Sequence, residues 1–185
     1  IDFSGVKSFN LDEYYPIKKT DKDSFYYYMF HNLFNHVNIK NSNINMLNGE
    51  NKNSYKECLN YEKKIKKNPI DIQILGMGIN GHIGFNEPGS AFDSRTRRVK
   101  LSKQTLKINL KSFKNPKKIS KEALTMGIGT IMSAKKIILL AAGKNKAKAI
   151  KCLYEKEDPC CPVSFLRKHK DLTVIIDKKA GGLLK

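Results

Sequence analysis

The chain has 185 residues, 40% of them hydrophobic, enough for one globular domain with a core and too apolar for a disordered segment. No apolar run approaches the ~20 residues that span a bilayer, and Ile1–Gly5 has neither the basic start nor the long apolar stretch of a signal peptide. The net charge of +18 is spread along the whole chain instead of one arm, so a Lys/Asn compositional bias explains it better than nucleic-acid binding does, and a basic field also draws in anionic metabolites.

Val6–Phe9 reads as a short strand that ends in the polar cluster Asn10–Tyr14. Asp23 or Ser24 can cap a helix running to about Val37, with Phe25, Met29, Leu33, Phe34 and Val37 on one face. Asn48-Gly49 marks a turn, and Ser54 to Lys67 reads as a second helix with Tyr55, Cys58, Leu59, Glu62 and Ile65 at helical spacings. Ile70–Leu75 alternates as a strand does and runs into a Gly-, Asn- and Pro-rich loop from Gly76 to about Ser90. Ala123–Met126 predicts a short strand, and Gly127–Thr130 a turn into a short helix. Ile137–Ala142 is a continuous apolar run, the pattern of a strand buried on both faces. Lys144 to Glu155 predicts a helix and Leu172–Ile176 a last strand. Strands alternating with helices predict a Rossmann-like α/β fold with a mostly parallel sheet flanked by helices, residues 1–185 forming a single domain. In such sheets the ligand sits beyond the carboxyl ends of the strands.

The four cysteines, Cys58, Cys152, Cys160 and Cys161, contain no C-x-x-C pair and suggest neither a disulfide framework nor a zinc site. Free thiols without an export signal point to a cytoplasmic protein.

Gly76-Met77-Gly78-Ile79-Asn80-Gly81 is a literal G-x-G-x-x-G after a strand. A dinucleotide site needs a helix to open at the third glycine and an acidic strand end about 20 residues later. Neither is present: His82-Ile83-Gly84-Phe85-Asn86-Glu87-Pro88-Gly89 holds two glycines and a proline and cannot continue as a regular helix. The loop reads instead as a chemical site. His82 can serve as acid or base near neutral pH, and Glu87, five residues on, can fix its tautomer.

The loop has company. Leu75 to Ser94 reads LGMGINGHIGFNEPGSAFDS, followed by Arg95-Thr96-Arg97. Upstream lie Phe9–Tyr15, Ser24–Tyr27 and Ile44–Gly49; downstream lie Ala123–Thr130 and Gly143–Ala147. In this order and spacing they resemble the glucosamine-6-phosphate deaminase (isomerase) family over essentially the whole chain. The G-H-I-x-F-N-E-P stretch is the specific part. The related 6-phosphogluconolactonases share the Gly-rich turn but continue differently after G-H.

The resemblance implies conversion of glucosamine 6-phosphate to fructose 6-phosphate and ammonium, with no metal and no organic cofactor. Matched by position, His82 is the ring-opening base, Glu87 its supporting carboxylate, and Asn80 an orienting residue where other members carry Asp or Asn. Asp12, in the D-E-Y run, matches the base that moves a proton between C2 and C1. Lys146 matches a phosphate ligand near a helix start. Lys111 falls where an arginine commonly grips the phosphate, a departure because lysine cannot do so bidentately. Arg97 matches an arginine that binds an allosteric activator in some members. The nearby position where those members use Lys is Val99, which argues against activation by an N-acetylated sugar phosphate.

The resemblance further implies that an N-terminal strand and phosphate-binding turn precede the position of Ile1. On that expectation the chain is an incomplete domain, with exposed strand edges and apolar surface, poor solubility and weak activity of its own. The partners it implies are a small sugar phosphate and possible further copies of the chain, with no nucleic acid and no membrane. The competing reading is a catalytically impaired sugar-phosphate-binding module or truncated pseudo-enzyme, which binds without releasing ammonia.

Overall fold

The computed structural model describes residues 1–109 and 120–184. In chain order the strands are β1 (Ser8–Phe9), β2 (Asp12–Tyr15), β3 (Ile44–Asn45), β4 (Ile72–Leu75), β5 (Arg97–Lys100), β6 (Glu122–Thr125), β7 (Lys136–Ala141) and β8 (Leu172–Ile176). The helices are α1 (Phe25–Asn32), α2 (Ser54–Lys67), α3 (Lys103–Asn109), α4 (Ile128–Ile131) and α5 (Ala147–Tyr154). They form two compact units: Ile1–Tyr61 with Arg97–Thr125, and Glu62–Thr96 with Met126–Lys185.

The first unit holds a parallel β1–β3 pair and an antiparallel sheet in the order β2–β6–β5. The run Asp12–Tyr15 is a strand, not the polar cluster that its two acids suggest. Tyr14 and Tyr15 are buried, and so is Glu13. The Glu13 carboxylate explains how an acid stands inside. Its Oε1 accepts the backbone N–H groups of Tyr14 (2.9 Å) and Phe25 (2.8 Å), and its Oε2 accepts that of Tyr26 (2.8 Å). Phe25 and Tyr26 open α1, whose N-cap is Ser24, with Oγ accepting Tyr27 N–H at 2.9 Å. Helix α1 ends at Asn32 and a separate 3-10 turn, Phe34–His36, follows, so the helix is shorter than expected. In α2 the buried residues of the first unit are Cys58 and Tyr61; Tyr55 and Leu59, expected on the inner face, are exposed. The Tyr61 hydroxyl lies 2.8 Å from the carbonyl of Asn10 and 3.0 Å from that of Asn45, tying the loop before β2 to the end of β3.

The second unit carries the parallel sheet β4–β7–β8. One face is core: Leu75, Ile137, Leu139 and Ala141 are buried. Helix α5 buries Ala147, Ala149, Ile150 and Leu153. The other face is largely exposed among the described residues. Register pairs Ile74 with Ile138 and Leu140 with Ile175, so Ile72, Ile74, Ile138, Leu140 and Ile175 point the same way. Of these, Ile72 is 55% exposed, Ile74 62%, Leu140 45% and Ile175 54%. The expectation that β7 is buried on both faces is therefore corrected. In β4 the phase is also the reverse of the hydrophobic reading: Gln73 points inward while its isoleucine neighbours face out. Elsewhere in this unit Glu62 takes the Thr96 and Thr130 hydroxyls and the Thr96 N–H. No helix among the described residues is long and apolar enough to cross a membrane.

Candidate active site

The parallel strand β4 delivers the chain at its carboxyl end into the glycine loop, and the next helix begins only at Lys103. No helix opens at Gly81, as the two glycines and the proline that follow it predicted. The glycines serve the loop itself. Gly81 adopts φ 80, which favours glycine. Gly78 donates its N–H to the His82 carbonyl at 2.8 Å, folding the turn back on itself. A Cβ at Gly78 would stand 2.2 Å from His82 Nδ1 and Cε1, so the imidazole lies directly on this residue.

The imidazole is held in a defined tautomer. Asn80 Oδ1 accepts the His82 backbone N–H at 3.2 Å, which identifies that end of the amide as oxygen. The same Oδ1 lies 2.7 Å from His82 Nδ1, so Nδ1 carries the proton and Nε2 keeps a lone pair. The other end of the amide, Asn80 Nδ2, donates to Glu87 Oε2 at 3.1 Å. His82 Nδ1 to Glu87 Oε2 is 3.7 Å, beyond a hydrogen bond. The support that Glu87 was expected to give directly is thus relayed through Asn80. Burial lowers the His82 pKa below the ordinary imidazole value, the Lys146 ammonium acts in the same direction, and Glu87 opposes both. The result is an imidazole kept neutral, able to accept a proton at Nε2.

Lys146 is the N-cap residue of α5 and reaches back to the loop, its Nζ donating to the Met77 carbonyl at 2.7 Å. Burial lowers its pKa as well. Asn86, which sequence reasoning passed over, anchors the second half of the loop. Fully buried, it donates from Nδ2 to the carbonyls of Ile83 (2.9 Å) and Met126 (2.8 Å). Its only signal in the sequence was its place inside the specific motif. Asn86→Ala removes both side-chain hydrogen bonds from a fully buried position and is expected to lower stability by about 1–3 kcal/mol, read as a fall in the urea midpoint at unchanged slope.

The second unit therefore brings Asn80, His82, Glu87 and Lys146 together. Asp12 and Arg97 belong to the first unit. They occupy one row of the antiparallel sheet, each opposite Thr125 of β6, so their side chains leave the same face. Asp12 is half-buried, and burial first, with the adjacent Glu13 second, pushes its carboxyl up to about 7. The Arg97 pKa is lowered by burial. Lys111 lies outside the described residues. Among the described residues no group of three or more His, Cys, Asp or Glu is arranged to hold a metal ion.

The family model of glucosamine-6-phosphate isomerases and 6-phosphogluconolactonases matches residues 1–175. A glucosamine-6-phosphate deaminase of Clostridium novyi (strain NT) is 53% identical over 186 residues, covering 100% of this chain and 77% of the relative. One of Thermoanaerobacter sp. (strain X514) is 48% identical, covering 100% of this chain and 74% of its own length. Among solved structures, a monomeric glucosamine-6-phosphate deaminase superposes with a TM-score of 0.95 at 42% identity, over 98% of this chain and 76% of that one. A 6-phosphogluconolactonase from Trypanosoma cruzi shares the fold at TM-score 0.76 and 23% identity, over 97% of this chain and 73% of that one.

Proposed function

The chain belongs to the family of glucosamine-6-phosphate isomerases and 6-phosphogluconolactonases, and from that premise we propose that it acts as a glucosamine-6-phosphate deaminase. The reaction takes glucosamine 6-phosphate and water to fructose 6-phosphate and ammonium, a step of amino-sugar breakdown in the cytoplasm. The observation that carries this reading is the His82–Asn80–Glu87 relay, which leaves a neutral imidazole with a free Nε2 on a loop at the carboxyl end of a parallel strand. Opening a pyranose needs a base for the anomeric hydroxyl, and His82 fills that role. Asp12 then carries a proton from C2 to C1 through an enolamine, and water hydrolyses the resulting C2 imine. Lys146 supplies a cation for the sugar phosphate, and Lys111 is assigned the same role by its sequence position alone.

The high identity to deaminases supports this reading over lactone hydrolysis, since the lactonases share the fold at far lower identity. The test is to incubate the protein with glucosamine 6-phosphate and, separately, with 6-phosphogluconolactone. Ammonium and fructose 6-phosphate should appear in equal amounts from the first. Lactone hydrolysis alone, or sugar-phosphate binding without ammonium, would defeat the proposal.

The relay carries its own prediction. Asn80→Asp places a carboxylate where Asn80 Oδ1 now meets His82 Nδ1, favouring the imidazolium. A higher His82 pKa means the neutral base is present only from a higher pH upward. The imidazole NMR titration and the His82-dependent limb of kcat/KM should both move up by about one pH unit.

A further inference from the structure

Beside Asp12 stands a carboxylate that no step above employs. Glu13 is 1% exposed and spends both oxygens on three backbone N–H groups, one from its own strand and two from the first turn of α1. Such donors, at a helix N-terminus, favour a carboxylate over a carboxylic acid. We propose that Glu13 is a positioning residue for Asp12, clamping α1 to β2 and placing a carboxylate behind the base.

The proposal rests on the reading of Asp12 as the proton-transfer base. Successive residues of a strand point to opposite faces, so Glu13 works from behind the sheet, touching no substrate, while Asp12 leaves by the other face. The clamp is made of short, directional contacts, and the stacked rings of Tyr14 and Phe25, 5.0 Å between centroids, brace the same junction. Burial pushes both carboxyls up to about 7, and two adjacent acids resist ionising together. Three N–H donors favour the ionised form of Glu13, and its charge in turn raises Asp12, so of the two acids Glu13 is the one set to hold the charge while Asp12 takes and returns the proton. The other groups around the pair are the phenols of Tyr14 and Tyr61, both raised by burial first, with the Asp12 charge adding to it. Asp23 also faces Tyr14. Arg97 stands in Asp12's row two strands away, roughly 10 Å across the sheet. Among the described residues no cation shifts either carboxyl.

The test is the pH profile of kcat/KM for deamination in Glu13→Gln, with Ser24→Ala as the control that loosens the same helix end without touching the charge. Glu13→Gln should move the acid limb down by about one pH unit and lower kcat about tenfold or more at nearly unchanged KM. Ser24→Ala should leave the limb in place. An unmoved limb in Glu13→Gln, or the same displacement in Ser24→Ala, overturns the proposal. Should Glu13→Gln fail to fold, carboxyl ¹³C NMR of the unsubstituted protein decides. Asp12 protonating near pH 7 while Glu13 stays ionised supports the assignment; the reverse order, or Asp12 titrating near the ordinary value of about 4, overturns it. That titration is read whether or not the protein turns over glucosamine 6-phosphate, so failure of the functional reading remains separate.

Discussion

Asp12→Asn is expected to stop ammonium release while leaving sugar-phosphate binding in place. Asn keeps the size and shape of the side chain but accepts no proton, and loss of a positioned base lowers kcat by about 10²- to 10⁴-fold. Calorimetric titration with glucosamine 6-phosphate should give an affinity within about threefold of the unsubstituted protein, the pattern of an interaction made only in the transition state. The pH dependence follows from the raised carboxyl. A base must be ionised, so activity of the unsubstituted protein falls as pH drops through about 7. Stability runs the other way. A carboxyl whose folded pKa lies above its unfolded value favours the fold below about pH 4, and that advantage is lost as pH rises to about 7. Asp12→Asn removes the burden, so its melting temperature should exceed that of the unsubstituted protein at pH 8 and not at pH 4. Turnover within a few-fold of normal would remove Asp12 from the mechanism.

The second large effect is expected from one methyl group. In Gly78→Ala the new Cβ would lie 2.2 Å from the His82 ring, nearer than real Cβ contacts come. The ring must swing away, breaking its 2.7 Å bond to Asn80 and with it the tautomer. A misplacement of this kind costs on the order of 10²-fold in kcat. Gly76→Ala is the internal control: its Cβ meets nothing within 4 Å, and activity should stay within about twofold, an expectation set by the absence of any contact to disturb. Equal activity in the two variants would show that the imidazole does not need its present seat.

The contrast between these glycines marks what the sequence can disclose. The loop's chemistry was readable because Gly, His, Asn and Glu are crowded at a strand end, and α2 falls on the predicted Ser54–Lys67, where residues at helical spacings marked the run. The use of each glycine was hidden, since only coordinates show which one lies under a ring. The spacing of His82 and Glu87 could not tell a direct contact from one carried by Asn80, because both fit a turn of five residues. Strand β2 escaped notice for a different reason. Asp12 and Glu13 read as loop residues, and what makes them a strand lies far off in the chain: Thr125 and Leu124 opposite them, and the N–H groups of α1. The two-residue period of β4 was legible but its phase was not, because alternation does not say which face meets the core. Lys111 lies outside the described residues, and its assignment rests on sequence position alone.

The half-wet β4–β7–β8 sheet bears on where the fold's safety margin comes from. Ile72, Ile74, Leu140 and Ile175 keep about half of their surface in water, leaving on the order of 5 kcal/mol of hydrophobic transfer unrealised at about 1.5–3 kcal/mol for each side chain fully buried. That is comparable with the lower end of the net stability of a whole domain. Among the described residues Leu75, Ile137, Leu139 and Ala141 hold the sheet from its buried face, so the packing that fixes these strands is concentrated in that one row of side chains.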